Sequence, residues 1–347
     1  MKKLTIVIPT YNRPERLIRQ VKAIVSDPDF EKIALTIVDN HSPYDVVETI
    51  RGEVTAEQYN QITIRVRQYN LGLGLNISLP FIECDSQWVW ILGDDDKFIG
   101  KISQLLNDIE SYDYCSWIKY NISNSRRQQE TEISNINDFL NYYTDLHPTG
   151  DLVFISNTLF NLNRLNNYRQ LAVIWHHTLV GHVLPVIQAL CDGNAVCKFR
   201  DIDLIEYQTP PTGTGYGMLW VTMGLSNLGD VEFTNNYSLN RNIHEMFQHD
   251  VKQISMINTV MQHKGRRYRK YCYKRIKSVF YSRIKLGNIL NNCVFDISNI
   301  TGINIAKSII VLKKSLLLMA SKTLKGIAEP LKNKHPHSYY KLLGKFK

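Results

Sequence analysis

The 347-residue sequence predicts an α/β protein, an open and mostly parallel sheet with helices on both faces, followed by a basic α-helical C-terminal region. Three observations carry this. Short apolar runs alternate with helix-length segments through the first hundred residues. Clusters of polar residues fall at the ends of those apolar runs, where open parallel sheets place their ligands. The charge then divides the chain: from Lys252 onward there are 21 Lys and Arg against Asp296 and Glu329, while positions 1 to 251 hold 20 against 30 acidic residues.

Taken in order, Leu4 to Ile8 is a buried strand and Pro9 to Arg13 the turn after it. Pro14 to Val25 carries Leu17, Val21, Ile24 and Val25 at helical spacing. Ile33 to Val38 is a second strand ending in Asp39-Asn40, Gln61 to Arg67 a third with alternating Ile62, Ile64 and Val66, and Trp88 to Leu92 a fourth. Helical segments of crossover length between them imply right-handed parallel connections. Tyr114 to Tyr120 and Leu152 to Phe160 are further expected strands, and Leu171 to Leu190 a largely apolar helix. Thr209 to Gly217 holds too much Pro and Gly for a regular element and is expected to be a loop. The expected division is a body of residues 1–250, in halves 1–110 and 111–250, and a basic helical region of 251–347.

With 44% hydrophobic and 21% charged residues, the composition is that of a globular protein and excludes general disorder. Six cysteines without a CxxC pair or zinc-ligand spacing are read as reduced thiols packed as small apolar residues, which favours the cytoplasm. Met1-Lys2-Lys3 runs straight into the first strand, too short an apolar run for a signal peptide. The longest apolar stretch, Ile303 to Ala320, is interrupted by Asn304, Lys307, Lys313 and Lys314, so no membrane span is expected.

Gly93-Asp94-Asp95-Asp96 follows an apolar strand, so three carboxylates emerge together at the sheet edge. Adjacent anions repel one another. A hard divalent cation offsets that repulsion, and Mg²⁺ or Mn²⁺ binds through one or two carboxylates plus substrate phosphates. A solvated acidic turn capping a helix is the alternative. The glycines of Gly213 to Gly217 lack a strand-then-helix context, which excludes a dinucleotide fingerprint and leaves a flexible acceptor lid as the reading.

Four motifs in order, Ile6-Val7-Ile8-Pro9-Thr10-Tyr11-Asn12-Arg13, Val38-Asp39-Asn40-His41-Ser42, Asn70-Leu71-Gly72 with Asn76, and Ile91-Leu92-Gly93-Asp94-Asp95-Asp96, resemble family 2 glycosyltransferases of the GT-A (Rossmann-like) fold. The resemblance implies a nucleotide-sugar-binding half over 1–110 and an acceptor half over 111–250. It implies that Pro9, Thr10 and Tyr11 line the nucleotide pocket, that Asp39 accepts a hydrogen bond from the base, and that Asn70 to Gly72 closes over the nucleotide. Asp94 would face the ribose or donor sugar and Asp96 would bind Mn²⁺ or Mg²⁺. Asp95 is a third carboxylate where the family commonly has two. Arg13 would meet phosphate, or else be an exposed residue at a helix start. A structural turn cap is the alternative role for Asp39.

The implied activity is an inverting transfer of a sugar from a nucleoside-diphosphate donor, a UDP-sugar first, to a hydroxyl of a glycan, in bacterial surface polysaccharide synthesis of the capsule or O-antigen kind. No clear Glu-Asp pair supplies the general base. Ile174-Trp175-His176-His177-Thr178-Leu179-Val180-Gly181-His182 stands out instead, with His177 as first choice and packing histidines as the alternative. Asp151, Asp192, Asp201 and Asp203 are rivals. In the tail, Gly265 to Lys277 interleaves cations with tyrosines, and Ile303, Ala306, Ile310, Leu317, Ala320, Leu324, Ile327 and Leu331 recur at helical spacing. Such a helix suits a lipid-linked acceptor and peripheral binding to an anionic cytoplasmic leaflet, or packs on its own domain. Two other classes remain: a nucleic-acid-binding protein using the basic helices, which the first hundred residues disfavour, and a nucleotidyltransferase, which Pro9 to Arg13 and Asp39 argue against.

Overall fold

The computed structural model describes residues 2–123, 129–143, 149–208, 223–248 and 271–272. By its contacts the chain divides into two units, Met1–Val251 and Lys252–Lys347, and every element named below belongs to the first. The expected Thr209–Gly217 loop and the helical region after Asp250 lie outside the described residues. Among the described residues no helix is long and apolar enough to cross a membrane.

The chain opens with β1 (Leu4–Thr10), α1 (Pro14–Val25), β2 (Ala34–Asp39), α2 (Val46–Arg51), α3 (Ala56–Tyr59) and β3 (Ile62–Val66). Then come α4 (Gly72–Ser78), α5 (Pro80–Glu83), β4 (Trp88–Ile91), β5 (Lys97–Phe98) and α6 (Ile102–Ser111). The second half is β6 (Trp117–Ser123), β7 (Thr131–Ile133), α7 (Ile136–Asn141), α8 (Thr149–Val153), β8 (Thr158–Asn161), α9 (Gln170–Ile174), α10 (Leu184–Cys191), β9 (Cys197–Glu206) and α11 (Tyr237–Gln248). One sheet joins the strands in the order β3-β2-β1-β4-β8-β6-β9-β5, with β7 also paired to β9. β1 to β4 are all parallel, as expected, while β8 runs antiparallel to β4 and to β6.

Alternation along β1 and β4 loads both faces of the sheet. Leu4, Ile6, Ile8, Trp88 and Trp90 join Leu17, Val21 and Ile24 of α1 and Ile102, Leu105 and Ile109 of α6 in one core. On the opposite face Phe81 of α5 meets Phe160 of β8 at 5.0 Å, and Phe139 of α7 meets Trp117 of β6 at 5.6 Å, ring centre to ring centre. Each such side chain, taken fully out of water, stabilises by about 1.5–3 kcal/mol. The thiols follow the same rule: Cys84, Cys115, Cys191 and Cys197 are unbonded to one another, and burial pushes Cys84 up to about 11 and Cys115 to about 12.

The structure departs from the expected elements in three places. The strand expected from Tyr114 begins at Trp117, because the chain turns first, with the Cys115 N–H donating to the Tyr112 carbonyl. The run expected as one strand over Leu152 to Phe160 is α8 followed by β8, with polar Ser156 and Asn157 buried at the join. The helix expected over Leu171 to Leu190 is broken into α9, a 3₁₀ turn at His176–Thr178 and α10. Leu179 there has φ 63°, and Pro185 at the start of α10 has no N–H with which to continue a helix. Gly181 lies in the gap, where a methyl group would stand 2.5 Å from the Ala172 carbonyl oxygen. The three histidines are therefore not on one helix.

His182, beyond that break, is buried with its Nε2 against the Val153 carbonyl at 3.1 Å. Burial, then the Lys119 charge, lowers its pKa to about 3. Between pH 6.5 and about 3 the unfolded chain is protonated at this residue and the folded chain is not, so stability falls as pH drops through that window. One such proton is worth up to ~1.4 kcal/mol per pH unit. His182→Gln should flatten the fall, measured by urea denaturation between pH 6.5 and 4; an unchanged slope contradicts the assignment.

Candidate active site

Three parallel strands deliver their carboxyl ends to one edge. Thr10 ends β1 in register with Asp39, which ends β2, and the Leu92 N–H donates to the Val7 carbonyl just before the Gly93–Asp96 turn. The Thr10 hydroxyl donates to Asp94 Oδ2 at 2.7 Å. Arg13, the N-cap of α1, donates through Nη1 to Asp94 Oδ1 at 2.8 Å and Asp95 Oδ2 at 2.9 Å. Farther along α1, Arg16 reaches the Asp95 carbonyl at 3.4 Å and Arg19 the Asp96 carbonyl at 3.1 Å. α1 starts here because Pro14 occupies its first turn, where a missing N–H costs nothing. One polar side of the helix thus lies along the acidic turn while Leu17, Val21 and Ile24 face the core.

The three carboxylates are not equivalent. Asp94 and Asp95 share Arg13, which gives the extra carboxylate a partner. Burial raises the Asp94 pKa, opposed by Arg13 and Thr10. Asp96 is pushed up to about 7, by burial first, against the Ser156 hydroxyl, with Asp95 and Asp94 adding to the rise. A buried carboxylate among like charges is relieved by a cation. Among the described residues no group of three or more His, Cys, Asp or Glu could hold a metal alone. Mg²⁺ and Mn²⁺ need no such cage when phosphates complete their shell, so Asp96 fits that mode of binding.

The second strand end forms a separate network. Asp39 is 1% exposed and accepts from the Ser42 N–H at 3.1 Å to each oxygen and from the Ser42 hydroxyl at 2.5 Å. That is the turn cap left open as its alternative role. Ser42 Oγ in turn accepts from the Asn12 N–H at 2.8 Å. Asn12 and His41, at φ 55° and 68°, hold left-handed backbone on the two facing turns, a conformation that clusters at functional sites. Asn40 donates to Asn70 Oδ1 at 2.9 Å and accepts from the Leu71 N–H at 2.8 Å, and the Gly72 N–H closes on Asn70 Oδ1 at 2.9 Å. Asn70 to Gly72 are thereby fixed to the end of β2. Tyr11 stands exposed between the two networks in sequence, after Pro9 and Thr10.

The histidine turn packs on α4: a methyl group on Gly74 would lie 2.1 Å from the His176 carbonyl oxygen. His177 is exposed, with its ring 5.5 Å from Trp175 and 5.6 Å from His176. His176 Nδ1 lies 2.8 Å from the Val173 carbonyl, which orients that ring. Of the rival carboxylates, Asp151 is buried and bonded to Asn157, Asp192 accepts from Tyr168 and Gln188, and Asp201 accepts from Asn121. Asp203 pairs in register with Asn121. Sequence reasoning passed over Ser156, Arg16, Arg19 and Gln208. Ser156 accepts from the Gly93 N–H at 2.9 Å, and Gln208 from Arg19 at 2.6 Å. No local pattern marks them. Arg16 and Arg19 alone had a signal, the successive three-residue steps from Arg13 to Arg16 and from Arg16 to Arg19.

Residues 5–165 match the family model described as glycosyl transferase family 2. The succinoglycan biosynthesis protein ExoW of Rhizobium meliloti (strain 1021) is 33% identical over 113 residues, which is 32% of this chain and 34% of that protein. The match thus spans about a third of the length of that relative. Among solved structures, S. aureus TarS 1–349 in complex with UDP-GlcNAc is similar with a TM-score of 0.48 and 13% identity over 81% of this chain and 89% of that one. The mannosyltransferase PcManGT from Pyrobaculum calidifontis, in complex with GDP-Man and Mn2+, is similar with a TM-score of 0.43 and 10% identity over 89% and 85%. The matched segment contains β1 through β8, the Thr10–Arg13–Asp94 network and Asp39. The match to the family 2 glycosyltransferase model thus lies over residues 5–165, the part of the chain that holds this site.

Proposed function

We propose that the chain moves a sugar from a nucleoside-diphosphate-sugar, a UDP-sugar first, to a hydroxyl of a glycan, with inversion at the anomeric carbon. The observation that supports this most is the meeting, at one edge of the parallel strands, of the Arg13–Asp94–Asp95 cluster with buried Asp96 and the capped Asp39 turn. Tyr11 and Asp39 would border the base, Pro9 and Thr10 the nucleoside, and Asn70 to Gly72 would cover it. Asp94, held by Thr10 and Arg13, would receive a hydroxyl of the ribose or donor sugar. Asp95 would keep Arg13 aimed at the diphosphate, to which a guanidinium is geometrically matched.

Asp96 would hold Mn²⁺ or Mg²⁺. The bound ion supplies charge stabilisation to the departing diphosphate. The acceptor oxygen forms its bond to the anomeric carbon from the face opposite the leaving group, and the bond from that carbon to the phosphate oxygen breaks. The acceptor proton passes to a base, for which His177 is the proposed group, with oriented His176 as its rival. The family domain and the basic composition after Lys252 support a lipid-linked glycan as acceptor, on the cytoplasmic face of a membrane, in surface polysaccharide synthesis.

Incubation with UDP-sugars, Mn²⁺ and glycan acceptors tests this reading. A product one sugar larger, with inverted linkage and release of UDP, is expected. Release of pyrophosphate would indicate nucleotidyl transfer, and no turnover with any nucleotide sugar contradicts the proposal. His177→Ala should lower kcat about 10²–10⁴-fold with donor binding intact; kcat within twofold of wild type moves the role to His176.

A further inference from the structure

Lys119 lies in the middle of β6 and is 0% exposed. An ammonium group has three donors and is costly to bury unless all are used. Here all three are used on one five-residue segment. Nζ donates to Asn157 Oδ1 at 2.7 Å, Thr158 Oγ1 at 3.0 Å and the Phe154 carbonyl at 3.3 Å. Asn157 is itself braced, donating to the Tyr120 carbonyl at 2.8 Å and to Asp151 at 3.1 Å.

Ser156 sits inside that segment, and its bonds go to the acidic turn. Its hydroxyl accepts from the Gly93 N–H at 2.9 Å, and its carbonyl accepts from Trp90 Nε1 at 2.7 Å. A methyl group placed on Gly93 would lie 3.2 Å from Ser156 Oγ and 3.1 Å from Asp96 Oδ2, so hydroxyl and carboxylate meet over the same glycine. Burying an ammonium is costlier than burying an apolar side chain of similar volume, even with its hydrogen bonds made. Core filling alone therefore gives no reason for a lysine at this position.

We propose that Lys119 is a positioning residue for the Gly93–Asp96 turn: its ammonium gathers residues 154–158 into one conformation, and Ser156 transmits that conformation to Asp96. The proposal rests on the donor-site reading above. It predicts that removing the cation, which is fully buried and bonded to residues 154–158, weakens metal and nucleotide binding as removing Ser156 does.

The experiment measures binding of UDP with Mn²⁺ by calorimetry, and the ligand-free Tm, for the full chain carrying Lys119→Met, Ser156→Ala, both, or Thr158→Val. Lys119→Met and Ser156→Ala are each expected to weaken binding on the order of tenfold, as loss of outer partners of metal ligands does. The double variant is expected to be no weaker than the weaker-binding single variant, since the two act along one route. Thr158→Val removes one of the three Lys119 bonds, together with the hydroxyl's own contacts to Asn157 Oδ1 at 3.2 Å and the Phe154 carbonyl at 3.5 Å, and is expected to fold even where Lys119→Met does not; its binding should weaken about threefold, less than on losing the whole cation. A lowered Tm with wild-type affinity in Lys119→Met, or in Thr158→Val where Lys119→Met does not fold, makes the lysine purely structural and overturns the proposal. Additive losses in the double variant overturn the shared route. Should UDP not bind the wild type, the other nucleoside diphosphates replace it in the same measurements; failure of the wild type to bind any of them with Mn²⁺ overturns the donor-site reading and this proposal together, and so is distinguishable from failure of the proposal alone.

Discussion

Asp96→Ala is expected to lower sugar transfer by ~10³-fold, the scale seen when one preorganised group that stabilises leaving-group charge is removed. Its effect on the fold should have the opposite sign or be near zero. Asp96 is 4% exposed, and Asp94 and Asp95 both disfavour its charge. Removing it takes a repelling carboxylate out of a buried position, a common way for an active site to trade stability for activity. Kinetics with a UDP-sugar and the ligand-free Tm, measured on the same preparation, check both halves. Activity within tenfold of wild type would remove Asp96 from the chemistry; a Tm lowered by many degrees would make it a structural residue.

Gly74→Ala is expected to destabilise the chain by ~1–3 kcal/mol, the cost of forcing extra volume into a packed site. Helix propensity alone gives the opposite sign, because alanine is favoured over glycine inside a helix by about 1 kcal/mol. Geometry decides between them. The added methyl would stand 2.1 Å from the His176 carbonyl oxygen and 3.0 Å from its carbon, and both are backbone atoms that no side-chain rotation can clear. Either α4 or the histidine turn must move. The first choice disturbs Gly72 and its bond to Asn70, the second the proposed base, so kcat/KM should fall along with stability. Urea denaturation and kinetics on the variant test this, and a stabilised Gly74→Ala would show that the two elements are not in contact.

The parallel half of the fold was readable because its cues are local. Pro14 to Val25 has helical periodicity and a proline where a helix tolerates one, and the structure places α1 on those residues. The strands ending at Thr10, Asp39 and Ile91 are apolar runs closed by polar turns, and their parallel pairing follows from the helices between them. The second half was less readable because its boundaries depend on distant contacts. Ser156 and Asn157 interrupt an apolar run, and what makes them tolerable inside the protein is Gly93 and Lys119, respectively 63 and 38 residues away in sequence. The break at Leu179 had local signals in Gly181 and Pro185, which the apolar run from Leu171 to Leu190 outweighed.

At the site, residue types were legible and partnerships were not. The three aspartates, Arg13 and Asp39 were named from their motifs. That Arg13 bridges Asp94 and Asp95, leaving Asp96 beside Ser156, depends on how α1 and the α8–β8 segment lie against the turn. Asp39 had two readings from sequence, and its bonds to Ser42 are those of a turn cap, made to a residue three positions on.

Binding of UDP by the full chain, followed as a rise in Tm with and without Mn²⁺ in wild type and Asp96→Ala, separates a metal-dependent donor site at Asp96 from a purely structural acidic turn. At a hundredfold excess over Kd the ligand should add about 2.7 kcal/mol of stability. A clear rise is expected in wild type that requires Mn²⁺ and is lost in Asp96→Ala. A variant that responds as wild type does, or a wild type that no nucleoside diphosphate stabilises in the presence of Mn²⁺, would contradict the metal-dependent site.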